Sequence, residues 1–186
     1  VIIAGGGTGG HFFPGLAVAQ ALRAEAPGTR VLFVGTERGV EARLAPQHGF
    51  PFLALKASGF AGVGLLKRIR AVASVPLSLL SAIRVLLRFK PGAVIGVGGY
   101  ASLPVALAAG LMRLPVLLLE QNVQPGLSNR LLSPFSSALA VAFPQTARFF
   151  GRKARLVGNP VRASLEAVGA EFPPEQPLRL LVFGGS

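Results

Sequence analysis

Apolar residues in this chain gather into short unbroken runs rather than long amphipathic stripes. Residues 1–4, 30–34, 52–55, 93–95, 116–119, 138–141, 155–157 and 179–183 are rich in Val, Leu, Ile and Phe, and most stop at a turn. Runs of that length without polar alternation are how strands covered on both faces read. Between them, residues 14–25, 40–48, 65–72, 77–90, 104–113 and 127–132 have helical spacing. The repetition of strand, turn and helix predicts an α/β fold, an open, twisted, mostly parallel sheet with helices on both faces. Pro14 is expected to open its helix, and Pro76 to divide the third helical region in two.

In such a sheet, ligands collect at the carboxyl ends of the strands. The residues that follow the strands are the unusual ones here: Gly5 to His11, Gly35-Thr36, Gly96 to Tyr100, Glu120-Gln121-Asn122, Gly158 to Arg162 and Gly184-Gly185-Ser186. Glycines between a strand and a helix let backbone N–H groups close on an anion, and the helix N-terminus adds a favourable partial charge. Phosphate or diphosphate is the natural guest. A P-loop is excluded, because His11-Phe12 stands where Lys-Ser/Thr is required. Gly5, Gly7 and Gly10 satisfy GxGxxG, but the acid expected near the end of the second strand is displaced to Glu37.

Composition narrows the partners. The 186 residues carry 19 Lys+Arg against 7 acids, a net charge of +12, yet 51% are hydrophobic and the mean hydropathy is +0.58. That balance excludes a disordered basic tail and argues against nucleic acid as the partner. With no cysteine there is neither disulfide nor thiolate chemistry, and all seven acids are Glu, so no mechanism can use an Asp of this chain. Between Ala42 and Leu165, 15 bases share the segment with one carboxylate, Glu120. The longest uncharged stretch, 91–112, has the length of a membrane span, but Gly96, Gly98, Gly99, Ser102 and Pro104 break it into strand, loop and helix. The first residues run straight into glycines without the basic segment and cleavage site of a secretory leader, so none is expected there.

Five motifs in order, Gly6-Gly7-Thr8-Gly9-Gly10-His11, Gly98-Gly99-Tyr100-Ala101-Ser102, Glu120-Gln121-Asn122, Gly158-Asn159-Pro160-Val161-Arg162 and Gly184-Gly185-Ser186, resemble those of the MurG family of N-acetylglucosaminyltransferases. The resemblance implies a GT-B enzyme, two Rossmann-like domains facing across a cleft, with this chain as the N-terminal one. Residues 1–162 would be the acceptor- and membrane-binding domain, 163–177 a linker, and 178–186 the first strand and turn of a donor-nucleotide-binding domain. It also implies the reaction: transfer of N-acetylglucosamine from UDP-N-acetylglucosamine to the 4-hydroxyl of undecaprenyl-diphospho-N-acetylmuramoyl-pentapeptide, with inversion and with no metal or other cofactor. The fragment alone is expected to be inactive.

Two residues are candidates for the base that such a displacement requires. His11 at a helix start should have a lowered pKa and a neutral ring, or else only position the glycine loop. Glu120 follows an apolar strand, where burial would raise its pKa and arginines would lower it; its other reading is a counter-ion. The family usually has a histidine before this glutamate, and here the residue is Leu119. By resemblance, Thr8, Gly9 and Gly10 form the first anion loop, Gly98, Gly99 and Tyr100 complete the acceptor diphosphate pocket, and Asn122 contacts the transferred sugar. Arg162 and Ser186 would lie on the nucleotide side. His48 reads as a helix C-terminal cap.

From Leu65 to Lys90 there are six bases and no acid, with apolar residues at helical spacing. Leu65, Leu66, Lys67, Arg68, Ile69 and Arg70 are therefore expected to rest on an anionic membrane surface, as a peripheral protein on the cytoplasmic face of the bacterial membrane. Two alternatives stay open: a membrane-recruiting, non-catalytic half of a split lipid-acceptor transferase, and an NAD(P)-dependent oxidoreductase.

Overall fold

A computed structural model of the protein describes residues 1–55 and 65–161, with side chains described for all of these except 65–75. Among the described residues seven strands, β1 (Ile2–Ala4), β2 (Leu32–Gly35), β3 (Phe52–Ala54), β4 (Val94–Gly96), β5 (Val116–Glu120), β6 (Ala138–Val141) and β7 (Ala154–Leu156), form one sheet. Its order is β3-β2-β1-β4-β5-β6-β7, and every neighbouring pair is parallel. The strands expected within the described residues are present, shifted by one or two residues at their ends. The strand expected at 179–183, the linker at 163–177, Arg162 and Ser186 lie outside the described residues.

The helices are α1 (Gly9–Glu25), α2 (Val40–Gln47), α3 (Leu65–Phe89), α4 (Ser102–Leu111), α5 (Leu127–Leu132) and α6 (Pro144–Phe150). Three expectations need correcting. α1 starts at Gly9, not Pro14. A proline there forfeits only the bond to the Gly10 carbonyl, four residues back, so the helix runs through it. α3 is continuous through Pro76 rather than split. One missing N–H removes one bond from a 25-residue helix, and α4 packs along it to hold it together. α6 was not expected at all; Pro144 at its first turn was the signal for it. His48 caps α2 as expected.

Strand residues alternate between two cores. Ile2 and Ala4 join Val94, Leu118 and Leu139 under Ala82 and Leu86 of α3 and Val105 and Ala109 of α4. Ile3 joins Phe33, Ile95 and Leu119 under Phe12 and Leu16 of α1 and Ala45 of α2. Each fully buried Val, Leu, Ile or Phe among them contributes roughly 1.5–3 kcal/mol. α1 lies close on the sheet because Gly15 has no side chain; a Cβ there would stand 3.1 Å from Val97 Cγ1 and 3.2 Å from Ile3 Cγ2. The stretch 91–112 is β4, a turn and α4, and no helix among the described residues is long and apolar enough to cross a membrane.

The topology fixes where a ligand goes. From β1 the chain builds outwards to β2 and β3 on one side, then crosses to β4 and continues to β7 on the other. The carboxyl ends of β1 and β4 therefore flank the switch point, where open α/β sheets leave a crevice.

Candidate functional site

The turns after β1 and β4 meet backbone to backbone at that crevice. Gly6 N donates to Gly98 O at 3.2 Å, and Gly5, Gly6, Gly7, Gly98 and Gly99 all have positive φ. A side chain on Gly5 would strike the Gly98 carbonyl, and one on Gly99 would strike the Gly6 carbonyl. Glycine is thus required by both conformation and contact.

Above these turns lies a pocket of about 720 Å³ lined by Thr8, His11, Gly98, Gly99, Tyr100, Glu120 and Asn122, among others. Seven of the expected site residues are brought together there. Gly9 and Gly10 form the first turn of α1 beside it. Thr8, the residue before the helix, has extended backbone and no side-chain cap bond, which leaves first-turn N–H groups of α1 for an anion. Its hydroxyl instead stands 3.0 Å from His11 Nδ1.

His11 is half-buried, and its ring leans on Gly98, where a Cβ would lie 2.9 Å from Nε2. Burial lowers its pKa from the ordinary 6.5, while the carboxylates of Glu120 and Glu41 pull the other way. The direction agrees with the expectation, and its largest cause is desolvation by burial. In the tautomer whose Nδ1–H donates to Thr8 Oγ1, Nε2 is the basic nitrogen.

Glu120 ends β5 and is buried. Its Oε1 accepts from Asn122 N at 3.1 Å and Asn122 Nδ2 at 2.9 Å, and its Oε2 from Gly126 N at 2.8 Å and Asn129 Nδ2 at 3.0 Å. These partners are amides, not the arginines expected of a counter-ion. The carboxylate gathers the loop after β5 and the first turns of α5 around itself, and Thr146 of α6 continues the network within 2.8 Å of the Asn122 and Val123 carbonyls. Asn122 is exposed at the pocket with its amide nitrogen turned to Glu120, so its carbonyl oxygen and its second N–H are what it can offer a ligand. Asn129 Oδ1 is buried without a partner.

Sequence reasoning missed Glu41, on the first turn of α2. Glu37, the acid expected near the end of β2, is exposed; Glu41 is buried and reaches the glycine turn. Its Oε2 accepts from Gly7 N at 2.7 Å. Also missed were Leu103, Leu127 and Leu131, which give the pocket an apolar wall, and Ser128, whose hydroxyl donates to Gly99 O at 3.3 Å. Residues 65–70 lie in α3, but their side chains are outside those described. Among the described residues no group of three His, Cys, Asp or Glu could hold a metal ion.

The sequence matches the glycosyltransferase family 28 N-terminal domain over residues 1–141. The chain belongs to glycosyltransferase family 28. Curated relatives of the family include the UDP-N-acetylglucosamine–N-acetylmuramyl-(pentapeptide) pyrophosphoryl-undecaprenol N-acetylglucosamine transferases of Anaeromyxobacter sp. strain Fw109-5 and Myxococcus xanthus. The first is 47% identical and the second 43%, over all of this chain and 49% of each relative. The chain spans about half the length of the curated relatives it matches. Among solved structures, Acinetobacter baumannii MurG is similar with a TM-score of 0.72 at 31% identity, over 89% of this chain and 46% of that one. A Neisseria meningitidis UDP-GlcNAc 2-epimerase shares the fold, with a TM-score of 0.62 at 16% identity, over 85% of this chain and 46% of that one. The α/β, Rossmann-like N-terminal half of a GT-B protein is therefore the fold. The oxidoreductase reading finds no support in family 28, and the structure gives a physical reason: the Gly7 N–H that a dinucleotide's diphosphate would use already belongs to Glu41.

Proposed function

We propose that the chain is the acceptor half of an inverting transferase that makes the lipid-linked disaccharide of peptidoglycan. N-acetylglucosamine passes from UDP-N-acetylglucosamine to the 4-hydroxyl of undecaprenyl-diphospho-N-acetylmuramoyl-pentapeptide. The observation that carries this reading is the single pocket in which Thr8, His11, Gly98, Gly99, Tyr100, Glu120 and Asn122 converge at the switch point. It is supported by the names of relatives matched over the whole chain.

In this reading the acceptor diphosphate lies at the start of α1 and the Gly98–Gly99 turn, and His11 Nε2 takes the proton of the attacking hydroxyl. The new bond forms from the acceptor oxygen to the anomeric carbon as the bond to UDP breaks, and UDP leaves with the electron pair. Burial keeps the resting imidazole neutral, and Glu120 and Glu41 then stabilise the imidazolium that forms. Glu120 is poorly suited to be the base, because its oxygens already accept four hydrogen bonds. Asn122 would meet the transferred sugar, with Arg162 and Ser186 on the donor side.

The test is transfer from radiolabelled UDP-N-acetylglucosamine to the lipid-linked muramoyl acceptor by the full-length protein. His11→Ala should lower kcat by about a hundredfold or more. Full turnover by that variant would refute the assignment.

A peripheral seat on the cytoplasmic face of the membrane is supported by α3. Leu77, Leu80 and Leu87 are exposed beside Arg84 and Arg88, while Ala82 and Leu86 face the core. Replacing the three leucines with Ser should weaken sedimentation with anionic vesicles, and unchanged sedimentation would count against membrane contact through this face.

A further inference from the structure

Beyond its distant charge on His11, Glu41 has no part in the steps described so far, yet it is among the most completely enclosed polar residues of those described, at 1% exposure. Its carboxylate joins two loops. Oε2 takes the Gly7 N–H at 2.7 Å, while Oε1 takes Thr36 N at 2.9 Å and the Thr36 hydroxyl at 3.3 Å. Three glycines, Gly6, Gly35 and Gly39, make its seat; a Cβ on any of them would collide with the carboxylate. A seat built by omitting three side chains, one of them in the anion loop itself, serves more than an incidental packing contact.

The position is informative. In dinucleotide-binding units the glycine turn after the first strand holds a diphosphate, and an acid near the end of the second strand holds the ribose. Here the acid comes six residues after the Gly35 that ends β2 and turns inwards onto the glycine turn. One backbone donor of that turn thus has an intramolecular anion as its permanent ligand, and the crevice between β1 and β2 is filled.

We propose that Glu41 is a positioning residue that locks the turn formed by residues 5–10 in its anion-binding shape. It steers the acceptor diphosphate to the start of α1 and the Gly98–Gly99 turn, and keeps a nucleotide out of the β1–β2 crevice. The steering rests on the acceptor reading above; the lock itself does not. Gly7 has φ +91 and open space around its Cβ position, so nothing on its own side chain's account holds it in place. Thr8 and His11 follow directly on that turn, so a shift at Gly7 is passed to both.

The experiment compares the full-length protein with its Glu41→Gln variant, in which the amide can accept from one loop but cannot satisfy both. Two readouts separate the lock from the function. In glycine-labelled protein the Gly7 amide should lose about tenfold or more of its exchange protection, because a charged acceptor becomes a neutral one or is lost. In the transfer assay KM for the lipid-linked acceptor should rise about tenfold, with KM for UDP-N-acetylglucosamine changed by less than about twofold. Equal rises in both constants together with a lowered Tm would show a merely structural residue and overturn the proposal, as would an unchanged acceptor KM. Absence of transfer by the parent protein would sink the acceptor reading; the Gly7 amide would then decide, unchanged protection overturning the lock. Should Glu41→Gln fail to fold, Thr36→Val removes one of the three bonds, and an acceptor KM raised about two- to threefold is expected. No change in that variant would overturn the proposal.

Discussion

Two buried carboxylates stand on either side of the switch point, and they are held in opposite ways. Glu120, at the end of β5, is surrounded by side-chain and backbone amides that reach in to it from Asn122, Gly126 and Asn129. Glu41 is surrounded by absences: three glycines whose missing side chains leave room for it, and two loops whose N–H groups it collects. Burying a charge is tolerated only when it is fully hydrogen-bonded, and both satisfy that demand. The difference lies in what each organises. Glu120 folds its own loop, joining residues no more than nine apart. Glu41 ties two separate loops, the Gly7 contact spanning 34 residues. Both charges also bear on His11, so the two scaffolds share one electrostatic output.

That contrast can be broken in several ways. The largest effect should come from Glu120→Ala, which leaves four amide donors without their acceptor and should lower stability by roughly 1–3 kcal/mol for each donor that stays buried. Denaturant unfolding of the full-length protein measures it, and a loss under about 1 kcal/mol would mean that water or a rearranged loop replaces the carboxylate.

Next is a paired substitution. Gly39 and Gly126 both have backbone angles that alanine accepts, φ −74 and φ −62. A Cβ at Gly39 runs into the Glu41 carboxylate, whereas one at Gly126 stays 3.6 Å from Glu120 Oε2. Gly39→Ala should therefore destabilise by about 1–3 kcal/mol through overpacking. Gly126→Ala should stay within about 0.5 kcal/mol or gain slightly through the unfolded chain. Equal costs would show that the two seats are alike.

The smallest effect is electrostatic and sharpens the comparison. Because burial depresses the pKa of His11, the folded protein prefers the neutral ring. Stability from this group is present above 6.5, the unfolded value, and is lost as pH falls through the lower folded value. Activity that needs neutral His11 should fall over the same acidic range. Glu120→Gln and Glu41→Gln each remove a charge that raises the pKa, so both should move the His11 titration to still lower pH, Glu120→Gln more. An NMR titration of His11 in the three proteins checks the order. A shift upwards in either variant would mean that the carboxylate acts on His11 through burial rather than charge.

Much of this site was legible because its parts are local. A glycine turn after an apolar run announces itself, and so do a histidine at a helix start and a lone glutamate after Val116-Leu117-Leu118-Leu119. Glu41 was not legible for the opposite reason. Nothing in Gly39-Val40-Glu41 says that the side chain reaches a loop formed more than thirty residues earlier, and Glu37 looked equally available. Prolines misled in the same way. Pro14 and Pro76 are local signals for helix ends, and packing against the sheet and against α4 overrode both.

The sequence by itself determined the parallel α/β sheet, the rim on which the chemistry lies, and the family whose motifs line that rim. These follow from short-range patterns: unbroken apolar runs demand burial on two faces, and clustered glycines demand turns. Only the tertiary structure decided which carboxylate meets which loop, that Glu120 is saturated by amides, and that His11 Nδ1 turns to Thr8. Those pairings join groups from separate turns, and their geometry is set by the register of β1 between β2 and β4. Register is a property of the assembled sheet and of no single segment within it.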